Sequence, residues 1–185
     1  EAAATGQLTP QAAGIAIARH MREGTIVCDD SVTSGGGVAV PAMTARPHEV
    51  LALTGGAIGI GLPLAVGAAV AAPERKVLSL NGDGAAMYTV QALWSLAREN
   101  LDVTVVVFAN HAYRILNIEL MRTGAGKAGP SAAKLLELGD PAIDWVSLAK
   151  GLGLPAVRCT TAEEFDRAFA GAMGQRGPMF IEAAI

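Results

Sequence analysis

The chain has 185 residues, enough for one domain with a sizeable core. It is 51% apolar but only 4% aromatic, so Ala, Val, Leu and Ile must build that core. A formal net charge of −3 argues against a nucleic-acid or anionic-membrane surface, which needs clustered Lys and Arg. No apolar run has the length and purity of a membrane span: residues 57–72 come closest, but Gly59, Gly61, Pro63 and Gly67 interrupt them, and they read as a buried helix.

In chain order, Thr9-Pro10 is a helix start, with Thr as N-cap and Pro at the first helical position, and apolar residues continue to about Glu23. Thr25 to Cys28 reads as a short buried strand. Asp29-Asp30-Ser31 and Thr33 to Gly37 read as a polar, flexible loop at its end, capped by the carboxylates. Val50 to Leu53 is a second strand, followed by a glycine turn over Thr54 to Gly61 and a small-residue helix to about Ala71. Val77 to Leu80 is a third strand. Residues 86–98 carry Met87, Val90, Leu93, Trp94 and Ala97 at helical spacing, which puts Trp94 on the core face. Val103 to Phe108 is a β-branched run suited to a central parallel strand. Residues 123–134 read as a mobile loop or lid. A helix near Ile143 to Leu152, with Trp145 in its core face, and a strand at Pro155 to Arg158 follow. Thr161 and Glu164 form a capping box that opens a helix to about Met173, and Met179 to Ala183 is the last strand. Strands alternating with helices predict an α/β fold: a doubly wound parallel sheet of about six strands with helices on both faces. Cys28 and Cys159 fit no metal or redox spacing and read as core residues. No leader pattern is visible, so a cytoplasmic setting is expected.

Two glycine-rich segments carry the chemistry. Thr54 to Gly61 fits T-G-x-x-x-G-I-G and resembles the nucleotide turn of short-chain dehydrogenases. Those enzymes also need a Tyr-x-x-x-Lys pair, whereas Ala92 and Asn117 stand four residues after Tyr88 and Tyr113, and the turn does not follow the first strand. A dehydrogenase is therefore the remote alternative. The second segment is Gly82-Asp83-Gly84 after one strand, with Asn110 after the next. Neighbouring parallel strands would bring Asp83 and Asn110 to the carboxyl edge of the sheet, where such folds bind ligands. A carboxylate and a carboxamide there suit a hard divalent cation such as Mg²⁺, which retains substrate phosphates as further ligands.

Gly82-Asp83-Gly84, 25 intervening residues and Asn110, with Gly-Gly-x-Ile-Gly-x-Gly-Leu-Pro upstream, resemble the fingerprint of thiamine diphosphate enzymes. The likeness runs from Thr9 to Phe180-Ile181-Glu182 and is nearest to the diphosphate-binding domains of benzoylformate decarboxylase and acetolactate synthase-like enzymes. Ala109 stands where the fingerprint has the first of two Asn. The resemblance implies Mg²⁺ held by Asp83, Asn110 and the carbonyl of Ala112. It implies diphosphate contacts from Gly82, Gly84, Ala85 and Tyr113, with Val32, Thr33 and Ser34 from the first loop. Ile58 matches the apolar wedge that bends the cofactor, with its N–H and the Gly56 carbonyl expected on the aminopyrimidine. The activity implied is decarboxylation or carboligation of a small 2-oxo acid, with the cofactor as electron sink.

No catalytic side chain is expected in this chain, because the activating glutamate of the family lies in a separate pyrimidine-binding domain, usually of another subunit. The chain opens on Glu1 and is read as the carboxyl-terminal domain of a longer three-domain enzyme, inactive alone. A homo-dimer or homo-tetramer is implied. Acetolactate synthases carry Met-Val-x-Gln-Trp after the metal Asn, and here Arg114-Ile-Leu-Asn-Ile-Glu-Leu120 stands instead. Acetolactate synthase proper and a non-catalytic cofactor-binding paralogue are the alternatives. His111, inside the metal loop, reads as a solvent-facing residue or a general base, and Glu119 as a solvated or substrate-facing side chain.

Overall fold

The computed structural model describes residues 2–185. Six strands form one sheet in the order β2-β1-β3-β4-β6-β5. They are β1 (Ile26–Asp30), β2 (Glu49–Ala52), β3 (Val77–Gly82), β4 (Val103–Ala109), β5 (Ala156–Cys159) and β6 (Met179–Ala184), and every pairing is parallel. The expected doubly wound sheet is what the chain forms. β2 lies on one side of β1 and β3 on the other, so the winding reverses between β1 and β3. Crevices open at the carboxyl ends of strands at such a point.

Alternation along the strands splits the core into two layers. Val27, Leu78, Leu80, Val106, Phe108 and Ile181 face α1 (Pro10–His20) and α9 (Ala162–Gly174). Ile26, Cys28, Val77, Val105, Val107 and Phe180 face α3 (Gly61–Ala71), α5 (Ala92–Arg98) and α8 (Trp145–Gly151). Every residue of β4 is buried, as its β-branched run requires. The Thr9 side chain accepts from the Ala12 N–H and starts α1, and both halves of the Thr161–Glu164 capping box are formed. Cys28 and Cys159 are buried, and burial pushes their thiols up to about 12 and about 11, which fits inert core residues.

Three local expectations are corrected. The glycine run after β1 is not a flexible loop: Gly35–Ala42 is helical (α2). It packs so closely on α1 that a Cβ on Gly14 would lie 2.9 Å from the Val38 Cα, and one on Gly37 2.7 Å from the Pro10 Cβ. Gly37, with Gly14 opposite, serves helix contact, whereas Gly36 borders open space. Residues 86–98 are not one helix but α4 (Asp83–Met87), a turn, and α5. The break rotates the face, so Leu93 and Leu96 enter the core while Trp94 is 51% exposed under the Arg98 guanidinium, 5.2 Å from its ring. Part of the expected lid is helix, α7 (Pro130–Leu136), beside α6 (Arg114–Arg122). Trp145 is fully buried, as expected, and stacks on Phe180. No helix among the described residues is long and apolar enough to cross a membrane.

Candidate functional site

β3 and β4 run in register, Gly82 opposite Phe108, so the segments that follow them emerge side by side. Asp83 begins α4 directly after β3, and Asn110 to Tyr113 link β4 to α6. Asp83 is buried, and both its oxygens take backbone hydrogen bonds: Oδ1 from the Gly84 N–H at 2.8 Å and Oδ2 from the His111 N–H at 2.7 Å. The second bond ties the β4 loop to the β3 turn. Burial pushes the Asp83 carboxyl above its ordinary range, against the pull of these donors. Asn110 Oδ1 accepts from the Ala112 N–H at 3.0 Å, which orients the carboxamide within the same loop. His111 adopts φ 57°, its N–H on Asp83 and its carbonyl accepting from the Leu138 N–H. Its backbone N–H and carbonyl thus tie the β4 loop both to Asp83 and to the segment before Gly139.

One cleft gathers ten of the twelve expected site residues. The first loop brings Val32 and Thr33, and the glycine turn brings Ile58. The β3 turn brings Gly82, Asp83, Gly84 and Ala85, and the β4 loop brings Asn110, Ala112 and Tyr113. Two residues stand apart. Ser34 is buried at the start of α2, and the Gly56 carbonyl accepts the Ile58 N–H at 3.0 Å, so the two groups expected on a pyrimidine bond to each other here. Val32 has φ 51°, a rare and strained conformation for a β-branched residue, and it stands in the cleft wall. Ser31, Arg114 and Ile115 also line the cleft and were not foreseen. Arg114 follows the β4 loop as the first residue of α6, a position no sequence motif marks. Glu119 lies on the exposed face of α6, paired with Arg122.

Asp83, Asn110 and the Ala112 carbonyl would offer a cation only oxygen: one carboxylate, one amide oxygen and one peptide carbonyl. That composition suits a small hard cation rather than zinc or copper. No cluster of three His, Cys, Asp or Glu suited to a metal occurs among the described residues. Ala85 stands in the first turn of α4, where N–H groups have no intrahelical partner. Gly84 is constrained by its neighbour, since a Cβ there would lie 2.5 Å from Tyr113 Cε1 and 2.7 Å from Cδ1. Gly84→Ala is therefore expected to displace the Tyr113 ring and to cost about 1–3 kcal/mol in urea unfolding, as overpacking does.

Comparison with known proteins bears on this cleft. Residues 34–183 match the family model described as "Thiamine pyrophosphate enzyme, C-terminal TPP binding domain". The chain is 51% identical over 184 residues to the "Putative acetolactate synthase large subunit IlvX" of Mycobacterium tuberculosis, covering 98% of this chain and 35% of that protein. It is 35% identical over 127 residues to benzoylformate decarboxylase of Pseudomonas aeruginosa, covering 69% of this chain and 23% of that protein. Among solved structures, the thiamine diphosphate-dependent 4-hydroxybenzoylformate decarboxylase of Rhodococcus jostii RHA1 superposes with a TM-score of 0.85 at 30% identity, over 100% of this chain and 34% of that one. The chain thus spans about a third, or less, of the length of these relatives.

Proposed function

Because the chain belongs to the thiamine pyrophosphate enzymes, as their C-terminal TPP binding domain, we propose that its cleft holds the diphosphate of that cofactor through Mg²⁺. The observation that carries this reading is the juxtaposition of Asp83 and Asn110 at the ends of adjacent strands, with Ile58 lining the same cleft. Asp83, Asn110 and the Ala112 carbonyl would hold the cation. The cation offsets both the diphosphate charge and the buried Asp83 carboxylate, which otherwise repel each other. Val32, Thr33, Gly82, Gly84, Ala85 and Tyr113 would surround the phosphates, and Arg114 adds a positive charge at the rim. Ser34 and Gly56 remain candidate cofactor contacts that a small loop movement must deliver. When bound, the cofactor supplies a carbon nucleophile and an electron sink. This chain's residues bind it, orient it and keep its charge neutralised.

The whole protein then acts as a 2-oxo acid decarboxylase or carboligase, consistent with the activities named for the relatives above. Its activating glutamate and much of its substrate pocket come from a pyrimidine-binding domain, contributed within a cytoplasmic homo-dimer or homo-tetramer.

Calorimetric titration of the full chain with thiamine diphosphate, with and without Mg²⁺, tests the cofactor reading. Binding is expected only when the metal is present. Equal binding without metal, or none with it, would overturn the proposal. CO₂ release from a panel of 2-oxo acids by the intact enzyme tests the reaction class.

A further inference from the structure

Asp29 and Asp30 end β1 on opposite faces of the sheet. Asp29 turns toward α2 and accepts from the Ser31 N–H and hydroxyl. Asp30 turns the other way, is 1% exposed, and reaches the glycine turn that precedes α3. Its Oδ2 accepts from the Gly59 N–H at 2.7 Å and from the Gly61 N–H at 3.1 Å. These are the donors immediately beyond Ile58. The turn needs such an anchor, because Gly55, Gly56 and Gly59 all have positive φ, and nothing crowds the first two. Three glycines in so short a segment carry a large backbone entropy that a fixed wall must overcome. The Thr89 hydroxyl, donating to the Gly59 carbonyl at 2.7 Å, holds the turn from its other side.

We propose that Asp30 is a positioning residue of the cofactor site: its buried carboxylate clamps the Gly59 and Gly61 N–H groups and so fixes Ile58 in the cleft wall. The inference rests on the thiamine diphosphate reading above, and it assigns Asp30 to the organic half of the cofactor rather than to its phosphates. The surroundings define what may replace it. Asn81 is the cross-strand partner of Asp30, is fully buried, and spends its Nδ2 on Ser79 Oγ. Asp30 Oδ1 and Asn81 Oδ1 are both buried without a partner. Both residues crowd Gly61, where a Cβ would lie 2.3 Å from Asn81 Oδ1 and 2.7 Å from the Asp30 Cβ. Each of these oxygens thus lacks a donor, and burial pushes the Asp30 carboxyl upward. An asparagine at position 30 fits this environment: its oxygen can take the two N–H groups, and its NH2 replaces an oxygen that has no partner.

The test uses the full chain with Mg²⁺, titrated separately with thiamine diphosphate and with inorganic pyrophosphate. Asp30→Ala is expected to weaken thiamine diphosphate binding about tenfold, since two hydrogen bonds to a charged acceptor are lost, and to leave pyrophosphate within about twofold. Asp30→Asn is expected to preserve the preference for the whole cofactor. Amide exchange at Gly59 and Gly61 is expected to accelerate in Asp30→Ala but not in Asp30→Asn. Equal weakening of both ligands would reduce Asp30 to a folding residue and overturn the proposal, as would an unchanged preference in Asp30→Ala. If Asp30→Ala does not fold, Asp30→Asn decides: slow exchange with the preference kept supports the clamp, and a lost preference overturns it. A wild-type chain that binds pyrophosphate no less tightly than the cofactor sinks the positioning role alone, whereas one that binds neither ligand sinks the cofactor reading beneath it.

Discussion

Asp83→Ala is expected to weaken Mg²⁺-dependent thiamine diphosphate binding about a hundredfold or more. The carboxylate is the only anionic group among the three candidate ligands, so its loss removes the charge that places the cation. It also removes the acceptor for the Gly84 and His111 N–H groups, the second of which tethers the β4 loop. Loss of a buried charged partner costs about 3–5 kcal/mol, and here the cost falls on the bound state. Asp83→Asn separates the two contributions. It keeps one acceptor, for the His111 N–H that tethers the loop, but sets a non-accepting NH2 against the Gly84 N–H and loses the charge, so binding should remain weak while the ligand-free chain loses less stability in urea than Asp83→Ala does. Cofactor affinity in Asp83→Asn equal to wild type would remove Asp83 from the metal site.

Asp102→Ala is expected to do the opposite: destabilise the fold by about 3–5 kcal/mol and leave the cofactor site intact. Asp102 lies just before β4, at the far end of the same strand pair. Its Oδ1 accepts from Lys76 Nζ at 2.7 Å and from the Gly177 N–H at 3.1 Å. Lys76 and Asp102 are both buried, so removing the carboxylate strands an ammonium in the interior. Burial already lowers the Lys76 pKa, with Asp102 opposing the shift and Arg22 and Arg176 reinforcing it. A lysine with a depressed folded pKa contributes stability that is present above its unfolded pKa and lost as pH falls through the folded one. Without Asp102 the depression deepens. The deficit of the variant should therefore be largest at and below neutral pH and shrink as pH rises toward the ordinary lysine range near about 10.4. Urea unfolding at several pH values checks the trend, and a deficit independent of pH would show that the lost Gly177 contact, not the stranded charge, sets the cost.

The two carboxylates differ in how far the sequence betrays them. Asp83 was legible because a short apolar run ends in Gly-Asp-Gly, and parallel order then places the turn beside the Asn that ends the next run. Asp102 carries no pattern, and its role appears only when the chain end near Gly177 returns to the foot of the sheet. Asp30 was visible but misassigned. The first strand runs two residues further than its apolar segment, and period-two alternation then sends the adjacent aspartates to opposite faces. The glycines of α2 were misread for a related reason. Local propensity makes a Gly run a loop, whereas the close crossing of α1 and α2 uses Gly37 as a contact point. Trp94 was placed inside because helical spacing was carried across residues 88–91, where the chain turns.

By itself, then, the sequence determined the parallel α/β class, the two turns and the loop that supply the cleft, and the oxygen-rich chemistry of Asp83 and Asn110. These follow from short-range physics: apolar runs make buried strands, and glycines and polar residues at their ends make turns. Only the tertiary structure decided that the His111 N–H locks onto Asp83, that Arg114 joins the cleft, and that Asp30 grips the turn carrying Ile58. Each of those is a contact between segments tens of residues apart. Its existence depends on strand order and on where each strand ends, and no local pattern encodes either.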